Sequence, residues 1–556
     1  MHRKLFLSLI LVIGLLVSSS PAIATQRKNP KASKSSTQAP NHGNANFITT
    51  AQLKDYLDFI ASDELEGRDT PSKGLDVAAR FIATNLSRWG LKPGGDNGTF
   101  FQKMPMRRDK IKPKETFLEI NGERFKYGED FFSNPASGSA TTSAVYVGHG
   151  WLIKSKNINP YEKVDIKDKL VVFLGGTLPQ GASFNDLSGK EGEDWDSPWS
   201  YAKKHGAKAL IAVPSYTTLT QWEQLSQNSV ERGRTVFEKF ENVDRNPLPI
   251  ITLSVRALEL LFRAERAAAN SLFYQVSATN KIESFELSTN KTISFNIAVD
   301  SQKLSTRNVI GILEGQDPVL KNEYVALGAH YDHVGINPNI TGDNIYNGAD
   351  DDGSGTVAIL SIAEAMARGQ RPKRSVLFVW HTGEEKGLLG SRYFTENPTV
   401  PLDQIVTQLN LDMVGRSKQE NDNKPMNKDL STSDEIYLIG SKMLSSELGQ
   451  ISELVNASFL NLKFNYRYDD PKDPNRFFYR SDHYNYARKG IPIIFYFDGV
   501  HEDYHRVSDS VDKIDFDKLE KVSRTVFATA WELANRPTRP IVDKQLPAET
   551  MTNEDE

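Results

Sequence analysis

The 556-residue chain has no cysteine, so it has no disulfide bonds and no thiolate ligand for a metal, and its stability must come from packing and bound ions. An excess of charge of one sign is also missing, because 67 basic residues nearly balance 71 acidic ones and leave a formal net charge of -4. No basic tract is long enough to predict binding to nucleic acid or to an anionic membrane. The length predicts more than one domain.

The N-terminus has the pattern of an export signal. A basic start precedes an apolar run over residues 5–17 and the small-x-small end Ala22, Ile23 and Ala24, which predicts a signal peptide of residues 1–24. An uncleaved membrane anchor is the alternative, but the run falls short of the ~20 residues that a spanning helix needs. We therefore expect an exported protein, periplasmic or extracellular, without membrane contact after signal cleavage.

Composition divides the rest of the chain into segments of different character. Residues 25–46 are polar and predict a disordered linker, and residues 537–556 predict a disordered acidic tail. Residues 47–114 open with helical spacing of apolar residues, and short strand-like runs over residues 115–298 predict a β-rich region of its own. Residues 299–536 alternate predicted strands and helices, which is typical of an α/β domain.

Three adjacent acids stand in the segment NGADDDGSG. Asp350, Asp351 and Asp352 repel one another at short range, and burial raises their pKa values or destabilises the fold unless a positive partner is present. Solvent, an arginine or a metal ion can be that partner. A carboxylate that bridges two cations about 3.5–4 Å apart makes the crowding favourable.

Further candidate ligands follow predicted strands, and in open α/β sheets ligands bind outside the carboxyl ends of the strands. Asp412 is placed inside an apolar strand, where an unpaired charge costs several kcal/mol, so it needs a partner. Imidazole and carboxylate groups without any thiol suit zinc or a similar divalent ion. The candidates are, in chain order, His330, Asp332, Glu384, Glu385, Asp412, His501 and His505.

From about residue 307 to residue 514 the chain resembles the co-catalytic di-zinc aminopeptidases, the group of bacterial leucyl aminopeptidase and aminopeptidase S, with glutamate carboxypeptidase and the transferrin receptor as more distant relatives. The motifs that carry the resemblance are AHYDHVG, NGADDDGSG, HTGEEKGLLGS, LNLDMVGR, RSDHYNYARKGIP and DYHRVSDSVDKI. The resemblance implies an α/β fold, a three-layer zinc-peptidase domain with a mixed central β-sheet flanked by helices. A smaller β-rich protease-associated domain would interrupt it, with residues 47–114 as the first part of the peptidase domain.

The resemblance also implies a set of metal ligands for two Zn²⁺ ions per chain. His330 and Asp412 would bind one ion, Glu385 and His505 the second, and Asp351 both. The peptide bond between Asp351 and Asp352 is expected to be cis, as such sites have it.

Two further roles follow from the same resemblance. Glu384 would be the general base, and Asp332 would orient His330. With these roles we expect hydrolysis of N-terminal residues from peptides that have a free N-terminus, in an oligomeric state that the sequence does not indicate. The alternatives are a carboxypeptidase or dipeptidase, which needs a basic group such as Arg416 or Arg480 near the site, and a non-catalytic, receptor-like binding protein.

Several residues near the motifs are left without a metal role. His333, His381 and His501 are set aside because the ligand count is filled without them. Asp482 and His483 are interpreted as supports around the site, with helix N-capping by Ser481 or Asp482 as the alternative.

Overall fold

The computed structural model describes residues 42–175, 178–187, 189–240, 247–273, 282–470 and 472–546. The predicted signal peptide, most of the predicted linker and residues 547–556 lie outside the described residues. The ends of the two predicted disordered stretches make defined contacts: Asn44 donates to the Ala365 carbonyl at 2.9 Å, and Arg539 pairs with Glu323 at 2.8 Å. Residues 42–46 and 537–546 therefore have defined positions, contrary to the predicted disorder.

The helices of the described residues include the two that the periodicity predicts before residue 91. Thr49 and Ser72 cap them, because their side chains accept from the backbone N–H groups of Gln52 and Leu75. The helices are α1 (Thr50–Ile60), α2 (Lys73–Arg88), α3 (Pro198–Lys204), α4 (Tyr216–Thr220), α5 (Trp222–Glu231), α6 (Val255–Leu261), α7 (Ala269–Phe273), α8 (Gly355–Arg368), α9 (Leu389–Glu396), α10 (Ser446–Ala457), α11 (His483–Ala487) and α12 (Phe516–Asn535).

The strands fall into a first group before residue 298 and a second group after it. The first group is β1 (Lys92–Pro93), β2 (Phe101–Ile111), β3 (Phe117–Ile120), β4 (Glu123–Phe125), β5 (Phe131–Ser133), β6 (Gly138–Thr142), β7 (Ala144–Tyr146), β8 (Leu152–Ile153), β9 (Leu170–Leu174), β10 (Trp195–Asp196), β11 (Ala209–Val213), β12 (Arg234–Phe237), β13 (Ile250–Leu253), β14 (Phe285–Glu286) and β15 (Ile293–Ile297). The second group is β16 (Val299–Leu313), β17 (Tyr324–His330), β18 (Gly335–Ile336), β19 (Ile345–Tyr346), β20 (Ser375–His381), β21 (Ile405–Leu411), β22 (Glu435–Ile439), β23 (Lys463–Asn465) and β24 (Ile493–Phe497).

A mixed ten-stranded sheet organises the part of the chain that carries the candidate ligands. Its order is β12-β2-β16-β20-β17-β21-β24-β22-β23, and β1 pairs with β16. Strands β20, β17, β21 and β24 are parallel neighbours, whereas β16 runs antiparallel to β20 and β22 runs antiparallel to β24. The four parallel strands therefore end at one edge of the sheet.

Helices cover both faces of this sheet, which confirms the predicted three layers. Residues that alternate along β17, such as Leu327 and Ala326, belong to two different cores. The first core contains buried residues of α1, α2, α8, α10 and α12, and the second contains residues of α9 and α11. Because successive side chains of a strand point to opposite faces, one sheet serves both cores.

The β-rich region forms two larger sheets, ordered β14-β7-β9-β11-β13-β5 and β4-β3-β15-β6, around a shared core, and β8 pairs with β10 separately. The chain leaves and re-enters the main sheet at neighbouring positions, since Ile111 at the end of β2 pairs with Val299 at the start of β16. The region also returns β12 to the main sheet, where it pairs with β2. It is thus joined to the main sheet at more than its two ends.

Three details go beyond the sequence-based expectations. Helix α10 and strand β22 were not predicted, and Asp412 lies directly after β21 rather than inside it.

In the part of the chain that the structure describes, no helix combines the length and the apolar character needed to cross a membrane.

Candidate metal centre

The candidate ligands converge at the edge where the parallel strands end. His330 is the last residue of β17, Glu384 and Glu385 follow β20, and Asp412 follows β21. His505 comes from the loop after β24. Residues separated by up to 175 positions in sequence thus reach one place because their strands are neighbours in the sheet.

Asp351 lies between two groups of these side chains. One of its oxygens, Oδ1, is 3.3 Å from His330 Nε2, which is 3.6 Å from Asp412 Oδ1. The other oxygen, Oδ2, is 3.1 Å from His505 Nε2, which is 2.9 Å from Glu385 Oε2. Each carboxylate oxygen of Asp351 therefore faces a different group, as a bridging ligand requires. The peptide bond from Asp351 to Asp352 is cis, as expected.

The side chains of these two groups are arranged as ligands of metal ions and not as hydrogen-bond partners of one another. Asp351 Oδ2, Glu385 Oε1 and His505 Nε2 are buried and have no hydrogen-bond partner among the described residues, although they lie close together. Buried polar atoms in folded proteins are almost always satisfied, so a shared cation is the natural partner. Nitrogen and carboxylate oxygen donors without sulfur are a ligand set that zinc accepts.

His333 joins the second of these groups, although sequence reasoning set it aside. One ligand atom each from His333, Asp351, Glu385 and His505 lie within 4.8 Å of one another, and so do atoms of His330, Asp352 and Asp412. The sequence signal for His333 is its place three residues after His330 in AHYDHVG.

Glu384 borders both the metal groups and the open pocket. Its Oε2 is 3.9 Å from His330 Nε2, and its side chain retains 11% exposure. Burial raises the pKa of the Glu384 carboxyl well above its usual range, with His330 opposing the rise and Asp412 adding to it. A carboxyl in this position can accept and release a proton beside the metal groups.

A family model decides the identity of this region. Residues 308–530, which contain every candidate ligand, match the model of Peptidase family M28. The similarity to that family is shown for this part of the chain. The resemblance to co-catalytic zinc aminopeptidases drawn from the motifs is thereby confirmed.

The known proteins similar to this chain include peptidases. It is 25% identical to a probable zinc metalloprotease of Pyrenophora teres f. teres over 339 residues, which cover 54% of this chain and 68% of the relative. It is 27% identical to leucine aminopeptidase 2 of Arthroderma otae over 282 residues, which cover 46% of this chain and 51% of the relative. The matches thus span about half to two thirds of the relatives' lengths. The family and these relatives support a zinc metallo-aminopeptidase.

A solved structure shows the same fold. The aminopeptidase from Aneurinibacillus sp. strain AM-1 superposes with a TM-score of 0.51 at 18% sequence identity, covering 91% of this chain and 100% of that one. The likeness includes the mixed sheet with its flanking helices.

Asp332 contacts the residues of the metal centre through atoms other than those expected. His330 Nδ1 lies 3.1 Å from the backbone carbonyl of Asp332, whereas the Asp332 carboxylate is 3.8 Å away. That carboxylate instead accepts from the Glu384 N–H at 3.2 Å and from the Thr70 hydroxyl at 3.0 Å. The expected orientation of His330 by the carboxylate is corrected accordingly, because the main chain fills that direction. The carboxylate fixes the backbone of Glu384.

The N-terminal segment supplies supports that the sequence did not reveal. The Thr70 hydroxyl also accepts from the Gly383 N–H at 3.1 Å. Arg68 is fully buried, and its guanidinium donates to backbone carbonyls of Ile60, Tyr331, Asn347 and Gly348. Residues 68–70, which precede the β-rich region, therefore hold both loops that carry the ligands His330 and Asp351.

The other two acids of the DDD run have different partners. Asp352 accepts from the backbone N–H groups of His330, Gly355 and Met413 at 3.1, 2.9 and 3.2 Å, so it fixes the main chain around the site. Asp350 Oδ2 is 3.1 Å from His501 Nε2. The crowded acids are thus divided between backbone donors, a histidine and the metal groups.

The structure shows which groups Arg416 and Ser481 contact. Arg416 donates to Asp503 at 2.8 Å and lies 3.7 Å from Asp509, so it neutralises those acids and not Asp412. Ser481 donates to Asp412 at 2.6 Å and thereby holds a ligand, so the N-capping alternative does not apply to it.

The pocket beside the metal groups is mainly aromatic, with a cation on one wall. Asp351, Glu384 and Asp412 line its floor. The remaining lining residues are Met413, Phe477, Arg480, Phe495, Phe497, Val500 and Tyr504.

Proposed function

We propose that this chain is an exported di-zinc aminopeptidase that removes N-terminal residues from peptides, with Glu384 as general base. The observation that carries the proposal is the position of Asp351, whose two carboxylate oxygens face different ligand groups. His330 and Asp412 would hold one ion, and Glu385 and His505 the other. Export rests on the sequence pattern of residues 1–24 alone.

Bound zinc ions would polarise the scissile carbonyl and make a water molecule acidic enough to attack it near neutral pH. Glu384 takes the proton of the attacking water and passes it to the leaving amine. The Asp332 carboxylate keeps the Glu384 backbone in place, and the acids on the pocket floor attract the substrate's free amino group. The aromatic wall excludes water around the reacting bond.

The first test is the Glu384→Gln variant. We expect it to retain the metal content of the wild type and to lose about 10²–10⁴-fold in kcat, because the amide cannot accept the proton. Asp343→Asn, which changes an exposed acid of the neighbouring loop, is the charge-matched control and should keep its kcat. A Glu384→Gln enzyme that kept most of its kcat would refute the general-base role.

The second test separates the two exopeptidase directions. A carboxypeptidase or dipeptidase needs a cation for the substrate carboxylate; Arg416 is engaged with Asp503, while Arg480 lines the pocket. We expect hydrolysis of aminoacyl amides, abolished by chelator, and no cleavage of amino-blocked peptides. Cleavage of the blocked peptides would establish the carboxypeptidase alternative. A metal-free, chelator-indifferent wild type would instead establish a non-catalytic binding protein.

The β-rich region is proposed to be a protease-associated domain, as the resemblance implies. Its two sheets and its insertion between β2 and β16 support the proposal.

A further inference from the structure

His333 is a buried histidine without a hydrogen-bond partner at the edge of the metal groups. Its side chain has no exposure, and both ring nitrogens lack partners among the described residues. A buried imidazole normally donates from one nitrogen and accepts at the other. Two unpartnered nitrogens in one buried ring therefore point to a ligand that the protein itself does not supply.

The distances around His333 fit a shared cation. Its Nδ1 is 2.7 Å from Glu385 Oε1 and 3.7 Å from Asp351 Oδ2, and neither of those oxygens has a hydrogen-bond partner. With zinc–ligand bonds of about 2.0–2.2 Å, tetrahedral ligand atoms lie about 3.3–3.5 Å apart. The two observed separations lie on either side of that value, whereas the contacts of His505 Nε2, at 2.9 and 3.1 Å, are both slightly shorter.

The surrounding chain leaves room for the ring at this place. A side chain at Gly348 would put its Cβ 2.5 Å from His333 Cγ, and Gly348 has a φ of +57°, which favours glycine. The backbone N–H of His333 donates to the Arg68 carbonyl at 3.2 Å. The imidazole is thus positioned by Gly348 and by the Arg68 carbonyl, without a hydrogen bond to its ring nitrogens among the described residues.

We propose that His333 is a fourth protein ligand, beside Asp351, Glu385 and His505, of the second metal ion. The proposal rests on the two-metal site of the proposed function, and it gives the two ions different sets of protein ligands. The second ion would have two neutral imidazoles and the bridging and terminal carboxylates, whereas the first would have one imidazole. The extra nitrogen donor should make the second site the tighter of the two, so metal loads there first.

The alternative is that His333 only donates a hydrogen bond to Glu385. Both roles would weaken metal binding on substitution, since residues that orient a ligand also change affinity by about 10–100-fold. Affinity alone does not separate them. The number of imidazoles bound to zinc does, because only a ligand contributes to it.

The test compares His333→Phe with a matched control, His483→Phe. His483 is also fully buried, but its Nε2 is 2.8 Å from the Phe478 carbonyl and its ring stacks on Phe495. Zinc X-ray absorption of the protein with two ions bound should count three imidazoles per pair of ions in the wild type and in His483→Phe, and two in His333→Phe. Stepwise zinc titration against a competing chelator should show the tighter site weakened at least tenfold in His333→Phe only.

An unchanged imidazole count in His333→Phe would overturn the proposal. His333→Asn, which is smaller and fits the same space, provides the same readout if the phenylalanine variant does not fold. The wild type tests the proposed function separately. If it binds fewer than two zinc ions or cleaves no aminoacyl amide, the proposed function is wrong, whatever the His333 variants show.

Discussion

Replacing Arg68 by Met should destabilise the protein and weaken its metal centre together. Four backbone carbonyls accept from this one buried guanidinium, two of them at Asn347 and Gly348, just before the DDD run, and a third at Tyr331, next to His330. The side chain is charged at neutral pH: burial lowers the pKa of Arg68 to about 10, against the attraction of Asp332 and other acids.

The magnitude follows from the loss of these bonds. Hydrogen bonds from a charged donor contribute about 1.5–3 kcal/mol each, so four of them amount to roughly 6–12 kcal/mol. Removing the buried charge returns several kcal/mol of desolvation cost, and a net loss of about 3–5 kcal/mol in the free energy of unfolding remains. Arg68→Lys keeps the charge but not the planar fork, so its loss should be intermediate.

The matched control is Arg374→Met. Arg374 is also almost fully buried, pairs with Glu323 at 2.6 Å and donates to the carbonyl of Leu533 at 3.1 Å, away from the candidate ligands. Urea denaturation of the zinc-loaded proteins gives the stability change. Chelator competition at low temperature, where all variants are folded, gives the zinc affinity.

We expect both variants to lose comparable stability and only Arg68→Met to lose about 10–100-fold in zinc affinity, because its carbonyl partners carry the ligand loops. The reasoning is refuted if Arg68→Met binds zinc as the wild type does. It is refuted equally if Arg374→Met weakens zinc binding to the same extent, since the loss would then follow from global destabilisation.

Two further predictions concern pH and metal removal. Burial lowers the pKa of His483 to about 3, so between pH 6.5 and 3 the unfolded chain binds a proton that the folded chain does not. The free energy of unfolding should therefore fall with decreasing pH by about 1.4 kcal/mol per pH unit in that window. Urea titrations of His483→Phe should show this contribution removed. A slope as steep as that of the wild type in His483→Phe would contradict this assignment. Chelation should lower the melting temperature by several degrees, because each site at a free zinc concentration of 100 times its Kd adds about 2.7 kcal/mol to the free energy of unfolding. Calorimetry after chelation and again after zinc is restored measures this change. An unchanged melting temperature would mean that the fold does not need the ions to hold its carboxylates together.

The sequence by itself determined the fold class and the principal ligands. Apolar runs followed directly by polar residues indicated the ends of β17, β20 and β21, and such ends meet at one edge when the strands are parallel. This local pattern places His330, Glu385 and Asp412 at one edge, and the family resemblance implied that they, with Asp351 and His505, are the candidate ligands. Helix α10 and strand β22 escaped prediction, although their side chains pack in the same cores.

Only the tertiary structure decided which groups support those ligands. The bond from Thr70 to Asp332 spans 262 positions, and no spacing rule in the sequence connects the two residues. Arg416 could have met Asp412 or a substrate, and the fold brought Asp503 to it instead. His333 and His330 share one motif, yet the turn at Gly348 decides where the second ring points. Strand ends are fixed by local alternation of residues, whereas partners across the fold depend on packing that brings distant segments together.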